Sequence, residues 1–220
     1  MKRTLSILIP LLAALLFGIY YFSNKEKTRF YKRLPILGNH SIDSTRSGST
    51  VKYDTLWHRI PNFSFTNQDG QPVTQTDVQN KVYVADYFFT TCQSICPIMS
   101  KQLDRVAAAY KNEADFRILS HTVDPETDTP AQLKGYAQSY KANTKQWIFL
   151  TGEKPALYEL ARKGYLLNLE EGDGGPDDFI HTQNFALIDR HQRIRGFYDG
   201  TDSAQVNNLI QDIGFVLQEK

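Results

Sequence analysis

The sequence predicts an α/β domain in which helices cover both faces of a central sheet. The apolar, β-branched and aromatic run at residues 82–89 has the length and composition of a buried strand. A helical pattern follows it at once. The rest of the chain alternates strand and helix signals and ends in a hairpin and a last helix.

A short polar turn after this first long strand carries the only two cysteines of the chain, Cys92 and Cys96. Pro97 follows directly, and proline suits the first position of a helix, where its missing N–H costs nothing. We therefore predict a helix from Pro97 to about residue 111, with Cys96 close to its N-cap. Its buried face is formed by Leu103, Val106, Ala107 and Tyr110.

Thiols at a strand-to-helix junction have a specific chemistry. The positive end of a helix stabilises a thiolate, which is both a nucleophile and a metal ligand. A spacing of four residues puts Cys92 and Cys96 on one face of a helical turn. The pair would then close a disulfide or hold a soft ion such as Cu(I). The alternative is two buried cysteines that meet by chance.

The remaining elements follow in order along the chain. A hairpin is predicted at residues 63–65 and 71–73, and a short helical turn at 76–79. Further strands are predicted at 116–123, 146–150, 183–189 and 193–198, and helices at 130–141, 154–164 and 203–218. Thr129 is the expected N-cap of the helix at 130–141. Thiols at the end of the first long strand, before a helix, suggest a thioredoxin-like fold with a central mixed sheet flanked by helices.

The N-terminus predicts a membrane anchor over residues 1–24. The apolar run at 5–22 has 18 residues, which nearly span a bilayer core of about 30 Å at about 1.5 Å per residue. No small-residue cleavage site follows, so an uncleaved single span is favoured over a signal peptide. Residues 25–55 predict a polar tether, with early strand pairing near 51–56, and residues 56–220 the thioredoxin-like domain.

Charge bears on partners and orientation. The net charge of +1 gives no nucleic-acid footprint, and two cysteines exclude a disulfide-dense scaffold. Basic residues after the apolar run outnumber those before it, namely Lys25, Lys27, Arg29, Lys32 and Arg33 against Lys2 and Arg3. That bias alone predicts that the C-terminal domain lies in the cytoplasm.

Three motifs in order resemble the Sco/SenC family over about residues 58–218. They are Cys92-xxx-Cys96-Pro97, DPETDTP at residues 124–130, and His181-Thr182 ahead of an FALID strand. The resemblance implies a single-pass protein of the inner membrane whose thioredoxin-like domain faces the periplasm or its equivalent, against the charge bias. It also implies that Cys92, Cys96 and His181 bind copper. Two thiolates suit Cu(I), and an added imidazole suits Cu(II).

The same resemblance implies a metallochaperone rather than an enzyme. Such proteins serve assembly of the binuclear copper centre of cytochrome c oxidase, by delivering copper or by reducing the cysteines of the target. The implied partners are the copper-site subunit of the oxidase, other copper chaperones and thiol reductants.

Other candidate residues have plainer interpretations. His121, at a strand end, is the alternative to His181 as a ligand. Asp124 has a supporting role at most, and the acids of the 124–130 motif fit a turn and a helix start better than a hard-metal site. The acidic loop at 170–178 is a solvated loop or a docking site for a basic partner.

Asp86 interrupts the apolar strand six residues before Cys92. This arrangement resembles that of thioredoxins, which have a buried aspartate at the same spacing that assists proton transfer. The Sco/SenC pattern usually has an apolar residue at this position. Asp86 is therefore a possible proton acceptor in a redox-active pair. The alternative is an aspartate at a strand edge, bonded to a nearby Tyr or Lys.

Two other functions stay open. The first is an extracytoplasmic thiol–disulfide reductase, which Asp86 supports and which would not need His181. A peroxidase of the peroxiredoxin type is weakly supported, because no threonine stands three residues before Cys92.

Overall fold

Two separate sheets form the β structure of the computed structural model, which describes residues 17, 33–47, 50–167, 180 and 182–219. The strands are β1 (His40–Ser47), β2 (Thr50–Trp57), β3 (Ser64–Asn67), β4 (Pro72–Thr74), β5 (Val82–Phe88), β6 (Phe116–Thr122), β7 (Trp147–Thr151), β8 (Asn184–Ile188) and β9 (Ile194–Asp199). The helices are α1 (Ile95–Ala109), α2 (Pro130–Ser139), α3 (Lys154–Glu159) and α4 (Ser203–Gln218). A 3₁₀ turn (Gln75–Val78) precedes β5, and a π-helical turn (Leu160–Gly164) continues α3.

The larger sheet has seven strands in the order β4-β3-β7-β6-β5-β8-β9. Strand β5 pairs parallel with β6, and β6 pairs parallel with β7. Strand β8 pairs antiparallel with β5 on the other side, and β3 pairs antiparallel with β7. This is the mixed sheet predicted from the sequence, and its order puts β5, the strand that leads to the thiols, inside the sheet.

The two faces of the sheet bury separate apolar clusters, because successive side chains of a strand point to opposite faces. On β5, Val84 and Phe88 face the cluster that also holds residues of α1, α2 and α4. Tyr83 and Tyr87 face the cluster that holds α3 and the π-helical turn. All seven residues of β5 are buried, so the strand is a rigid base for the turn that follows it.

Helix α1 begins two residues earlier than predicted. Ile95 is its first residue, so Cys96 lies within the first turn and Pro97 is the third residue rather than the first. None of the first N–H groups of a helix has an intrahelical partner, so proline is tolerated throughout the first turn. The proline therefore marks the first turn but not its first residue.

The predicted polar tether at 25–55 contains a β-hairpin in its second half. Strands β1 and β2 pair antiparallel over their full lengths, from His40 with Trp57 to Ser47 with Thr50. The early pairing expected near 51–56 is present, and its partner strand β1 is an element that the sequence does not predict. Its side chains are exposed at residues 40–46, so no apolar alternation marks it as a strand.

Several predictions fall outside the described residues. These are the anchor at 1–24 apart from Phe17, the acidic loop at 170–178, and His181. None of the helices in the described ranges combines the length and the apolar character that crossing a bilayer requires. The anchor and the tether boundaries stay predictions.

Candidate functional site

The two cysteines lie at the junction of β5 and α1, at the edge where the central parallel strands end. Cys92 is in the connecting turn, where its N–H donates to the carbonyl of Phe89 at 3.3 Å. Cys96 is the second residue of α1 and is buried in the same cluster as Met99. Cys92 is partly exposed, and both residues are free thiols. The junction therefore presents one accessible sulfur and one covered sulfur.

The start of α1 brings the two residues into contact. The backbone N–H of Cys96 donates to Sγ of Cys92 at 3.4 Å, and Oγ of Ser94 lies 3.7 Å from the same sulfur. The first N–H groups of a helix have no partner within the helix, and here one of them is satisfied by sulfur. A spacing of four residues across a helix start thus directs backbone dipoles at Cys92.

These contacts give the two thiols opposite acidities. Burial alone would raise the pKa of Cys92, but hydrogen bonds from the Cys96 thiol and from the backbone N–H groups of Cys96 and Ser94 lower it below its usual value. Burial, followed by the proximity of Cys92, raises the pKa of Cys96 to about 12. Cys92 is therefore the more acidic of the two thiols, and Cys96 is the one that keeps its proton.

Asp86 is the third predicted site residue, and it points to the same face of the sheet as Val84 and Phe88. Its carboxylate accepts a hydrogen bond from Oγ of Ser120 at 2.5 Å. Nε1 of Trp147 donates to the same Ser120 oxygen at 2.8 Å. Asp86 is thus inside the sheet and bonded to a serine, which corrects the alternative of a strand-edge aspartate bonded to a Tyr or Lys.

Asp86 is 2% exposed, and this burial raises its pKa to about 7, against the opposing effect of the Ser120 hydrogen bond. Its negative charge is also one of the smaller causes of the high pKa of Cys96. The Asp86 carboxyl group therefore interacts electrostatically with the Cys96 thiol, and it changes protonation near neutral pH.

Asp128 is a site residue that the sequence interpretation did not single out from its acidic neighbours. Its carboxylate is fully buried and accepts from the N–H of Thr90 at 3.2 Å. It also accepts from the hydroxyls of Thr90 and Thr122. Asp128 thus ties the turn that carries Cys92 to the end of β6. The only sequence signal for this role is a threonine near the end of each of the two strands, Thr90 after β5 and Thr122 at the end of β6.

The histidine ligand predicted at position 181 lies outside the described residues, so its role stays a prediction. His121, the alternative, is fully buried on the face of the sheet opposite Asp86. It lies among aromatic rings, with the Tyr87 ring stacked at 5.0 Å between centroids. Cys96 belongs to the cluster on the other face. The structure therefore contradicts His121 as a partner of the thiols.

The described residues supply two soft sulfur donors at this site. Within those ranges, no three side chains of the His, Cys, Asp and Glu types converge as a metal-binding group. Asp124, Glu126 and Asp128 do not form one, because Asp128 already accepts three hydrogen bonds. Two neighbouring sulfurs suit a disulfide or a soft metal ion, and any third ligand would have to come from outside this group of described residues.

Comparison with known proteins agrees with this chemistry. The SCO1/SenC family model matches residues 55–217. The chain is 33% identical over 168 residues to a SCO1 protein homolog of Bacillus subtilis, covering 76% of this chain and 86% of that protein. It is 28% identical over 140 residues to a putative copper-binding protein of Stutzerimonas stutzeri, covering 62% of this chain and 67% of that protein.

A solved structure shows the same architecture. BsSco, described as a member of the Sco family of cytochrome c oxidase assembly proteins with a disulfide switch, superposes with a TM-score of 0.63 at 31% identity, covering 74% of this chain and 95% of that one. The fold is therefore the thioredoxin-like α/β fold of Sco structures, as predicted. The chain belongs to the SCO1/SenC family.

Proposed function

We propose that this protein is a copper-binding assembly factor for the binuclear copper centre of cytochrome c oxidase. The observation that carries the proposal is the pair of free cysteines at the start of α1, one accessible and one covered, with the Cys96 N–H bonded to Sγ of Cys92. A thiolate at Cys92 is a ready Cu(I) ligand, and copper would displace the proton of Cys96. The relatives' names support copper as the metal and the oxidase as the destination.

The proposed ligands are Cys92, Cys96 and His181. Two thiolates suffice for Cu(I), whereas Cu(II) favours the additional imidazole. The partners would be the copper-site subunit of the oxidase, other copper chaperones and thiol reductants. Asp128 would hold the Cys92 turn in position for transfer.

We also propose the arrangement in the cell that the sequence predicts. Residues 1–24 would form an uncleaved single span of the inner membrane, residues 25–55 would link it, and residues 56–220 would face the periplasm or its equivalent. A reporter fused after Lys220 that is active only in the cytoplasm would refute this orientation.

Copper titration of the full-length reduced protein tests the ligand set. We expect one Cu(I) per chain in competition with a chromophoric chelator, and a loss of at least about a hundredfold in affinity for Cys92→Ser or Cys96→Ser. His181→Ala should weaken Cu(II) far more than Cu(I). His191→Ala, in the exposed turn after β8, is the matched control. Full Cu(I) affinity in either cysteine variant would exclude the pair as the site.

A second candidate is an extracytoplasmic thiol–disulfide reductase. The opposite acidities of Cys92 and Cys96, with Asp86 behind them, favour it. The two functions differ in their use of histidine, because copper binding should need His181 and thiol exchange should not. Exchange with a protein disulfide, measured in His181→Ala, separates them.

A further inference from the structure

A polar pocket lies at the end of the sheet opposite the thiols. The 3₁₀ turn before β5 lines one side, and the turn between β8 and β9 lines the other. Strand β5 runs from this pocket to the thiol junction, and its seven residues span about 20 Å. The pocket is therefore separate from the thiol site, and nothing in the proposed copper function uses it.

The pocket has the size and the rigid frame of a ligand site. Its volume is about 310 Å³, at the lower end of small-molecule sites and far above the roughly 30 Å³ of one water. Gln192 fixes its floor, because the Tyr83 hydroxyl donates to Oε1 of Gln192 and Nε2 of Gln192 donates to the carbonyl of Val78. The N–H of Ile60 donates to the Gln192 carbonyl at 2.8 Å, which fixes the neighbouring Arg59 segment.

The charge of the lining is positive. Arg59 and Arg190 contribute to it, and the other described lining residues are amides, a threonine and a histidine, none of which is acidic. Arg190 pairs with Asp115 through Nη2 at 3.0 Å, but its Nη1 is buried without a hydrogen-bond partner in the described chain. The carboxylate of Asp189, next to this turn, is taken up by Arg193 and Arg195. Asp115 thus balances the charge of Arg190, but Nη1 of Arg190 still lacks a hydrogen-bond partner in the described chain and is a donor that an anion could use.

Gln75 adds a donor and an acceptor that lack partners. Both Nε2 and Oε1 of its side-chain amide are covered, and neither is hydrogen-bonded within the described residues. Unsatisfied buried polar groups are rare and costly in folded proteins. Turning this amide toward the pocket breaks no hydrogen bond. A ligand that both accepts from Arg190 and Gln75 and donates to Gln75 would satisfy all three atoms.

We propose that this pocket binds a small oxyanion that also carries a hydroxyl group, the chemistry of hydrogen phosphate and of a phosphomonoester. The oxyanion oxygens accept from Nη1 of Arg190, from Arg59 and from Nε2 of Gln75, and the P–OH donates to Oε1 of Gln75. Charge-assisted hydrogen bonds of this kind are the strong ones in phosphate recognition.

Calorimetric titration of the full-length protein with potassium phosphate, at constant ionic strength in chloride, tests the pocket. We expect saturable binding at one site per chain. Arg59→Gln and Gln75→Leu should each weaken it about tenfold or more, since each removes hydrogen bonds to a charged ligand. Arg105→Gln, which removes an exposed arginine of α1, should change it less than about twofold. Binding that is absent, or equally strong in all variants, would overturn the proposal and leave the pocket to water.

Two further measurements sharpen the result. Sulfate, which has no hydroxyl at neutral pH, should bind several times more weakly, and equal binding would exclude the Gln75 acceptor role. Gln75→Leu should unfold thermally no earlier than the wild type in chloride alone, which shows that a loss of binding is not a loss of fold.

Two sources of the phosphate are distinguished by vesicles. If vesicles containing phosphatidic acid bind more wild-type protein than Arg59→Gln protein, and free phosphate competes, the ligand is a lipid headgroup. If only inorganic phosphate binds, it is a soluble anion.

Discussion

Asp86 and His121 are two buried ionisable side chains on adjacent strands, and burial shifts their pKa values in opposite directions. Asp86 pairs in register with Ser120, and Tyr87 pairs with His121, so the two ionisable groups point to opposite faces. Asp86 has a hydroxyl donor and burial raises its pKa to about 7. Neither ring nitrogen of His121 has a partner in the described chain, and burial lowers its pKa to about 3.

The opposite shifts follow from the charge that each group carries when ionised, because burial raises the pKa of a carboxyl group and lowers that of an imidazole. Desolvation penalises the charged form of both groups. Ser120 returns part of that cost to the Asp86 carboxylate, so ionisation remains accessible near neutral pH. The aromatic rings around His121 offer no comparable partner, and its imidazole stays neutral. One face of the sheet therefore carries a group that can exchange protons at neutral pH, and the other does not.

The two groups also give stability opposite dependences on pH. Between pH 3.8 and 7 the folded state binds more protons at Asp86 than the unfolded state, so its contribution to stability falls as pH rises. Between pH 6.5 and 3 the unfolded state binds more protons at His121, so its contribution falls as pH falls. In the range that they share, the two slopes offset one another, and single substitutions should expose each slope.

Asp86→Asn should show the larger effect. Ionising Asp86 is disfavoured in the folded state, so its contribution to the free energy of unfolding of the wild type falls by about 4 kcal/mol from pH 4 to pH 8. The variant has no such group and avoids this loss. The free energy of unfolding of the variant, relative to wild type, should therefore rise by about that amount over this range. Denaturant unfolding at both pH values measures it, with Asp104→Asn on the exposed face of α1 as the control. A difference independent of pH would mean that Asp86 does not titrate in the fold.

His121→Phe should show the opposite slope. Phenylalanine has no proton to bind, so the variant should lose about 3 kcal/mol less stability than wild type between pH 8 and pH 4. The same unfolding series measures this, with His191→Phe as the control. Cu(I) affinity should stay within about twofold of wild type, because the ring is on the face away from the thiols. A large loss of copper affinity would contradict the assignment of the two faces.

Asp128→Asn tests how the thiol face is held together. The amide has a single acceptor oxygen for the N–H and hydroxyl of Thr90 and the hydroxyl of Thr122, so a buried donor loses its partner. We expect a loss of about 2 kcal/mol in the free energy of unfolding. Cu(I) affinity should fall with it, since the turn that carries Cys92 is released. Glu126→Gln, exposed in the same segment, should leave both quantities unchanged.

Much of the thiol face could be predicted from the sequence. Strand β5 and helix α4 lie close to their predicted bounds, because long buried strands and one-sided apolar stripes are strong periodic signals. Cys92 and Cys96 at a strand-to-helix junction followed from that pattern. The family resemblance, now shown, came from short motifs in the right order.

What the sequence could not give are the contacts between distant residues. Asp128 looks like its solvated neighbours until the fold brings Thr90 beside it. Ser120 is 34 residues from Asp86 in the chain, and Trp147 is 27 residues from Ser120. His121 seemed a fair ligand because a strand position alone does not reveal which face a side chain occupies relative to a site. That choice needs the register of β5 with β6.

The smallest expected effect concerns the chemistry of the thiols. When Cys92 has attacked a disulfide, Cys96 must attack Sγ of Cys92 in the mixed disulfide to release the partner's thiolate. Cys96 is protonated, with its pKa raised to about 12, so the step needs a base. An Asp86 carboxylate with a pKa of about 7 would take the proton as the new S–S bond forms.

Asp86→Asn should therefore slow thiol–disulfide exchange severalfold near neutral pH, roughly 1 kcal/mol in barrier, and remove a step near pH 7 from the pH–rate profile. Cu(I) affinity should change much less. Ser120→Ala removes the donor that favours the charged carboxylate, so the step should move to higher pH while the base remains. Exchange with a small disulfide across pH, alongside thermal unfolding, measures both variants. An unchanged profile in well-folded Asp86→Asn would remove this residue from the mechanism, and with it the main structural support for a reductase.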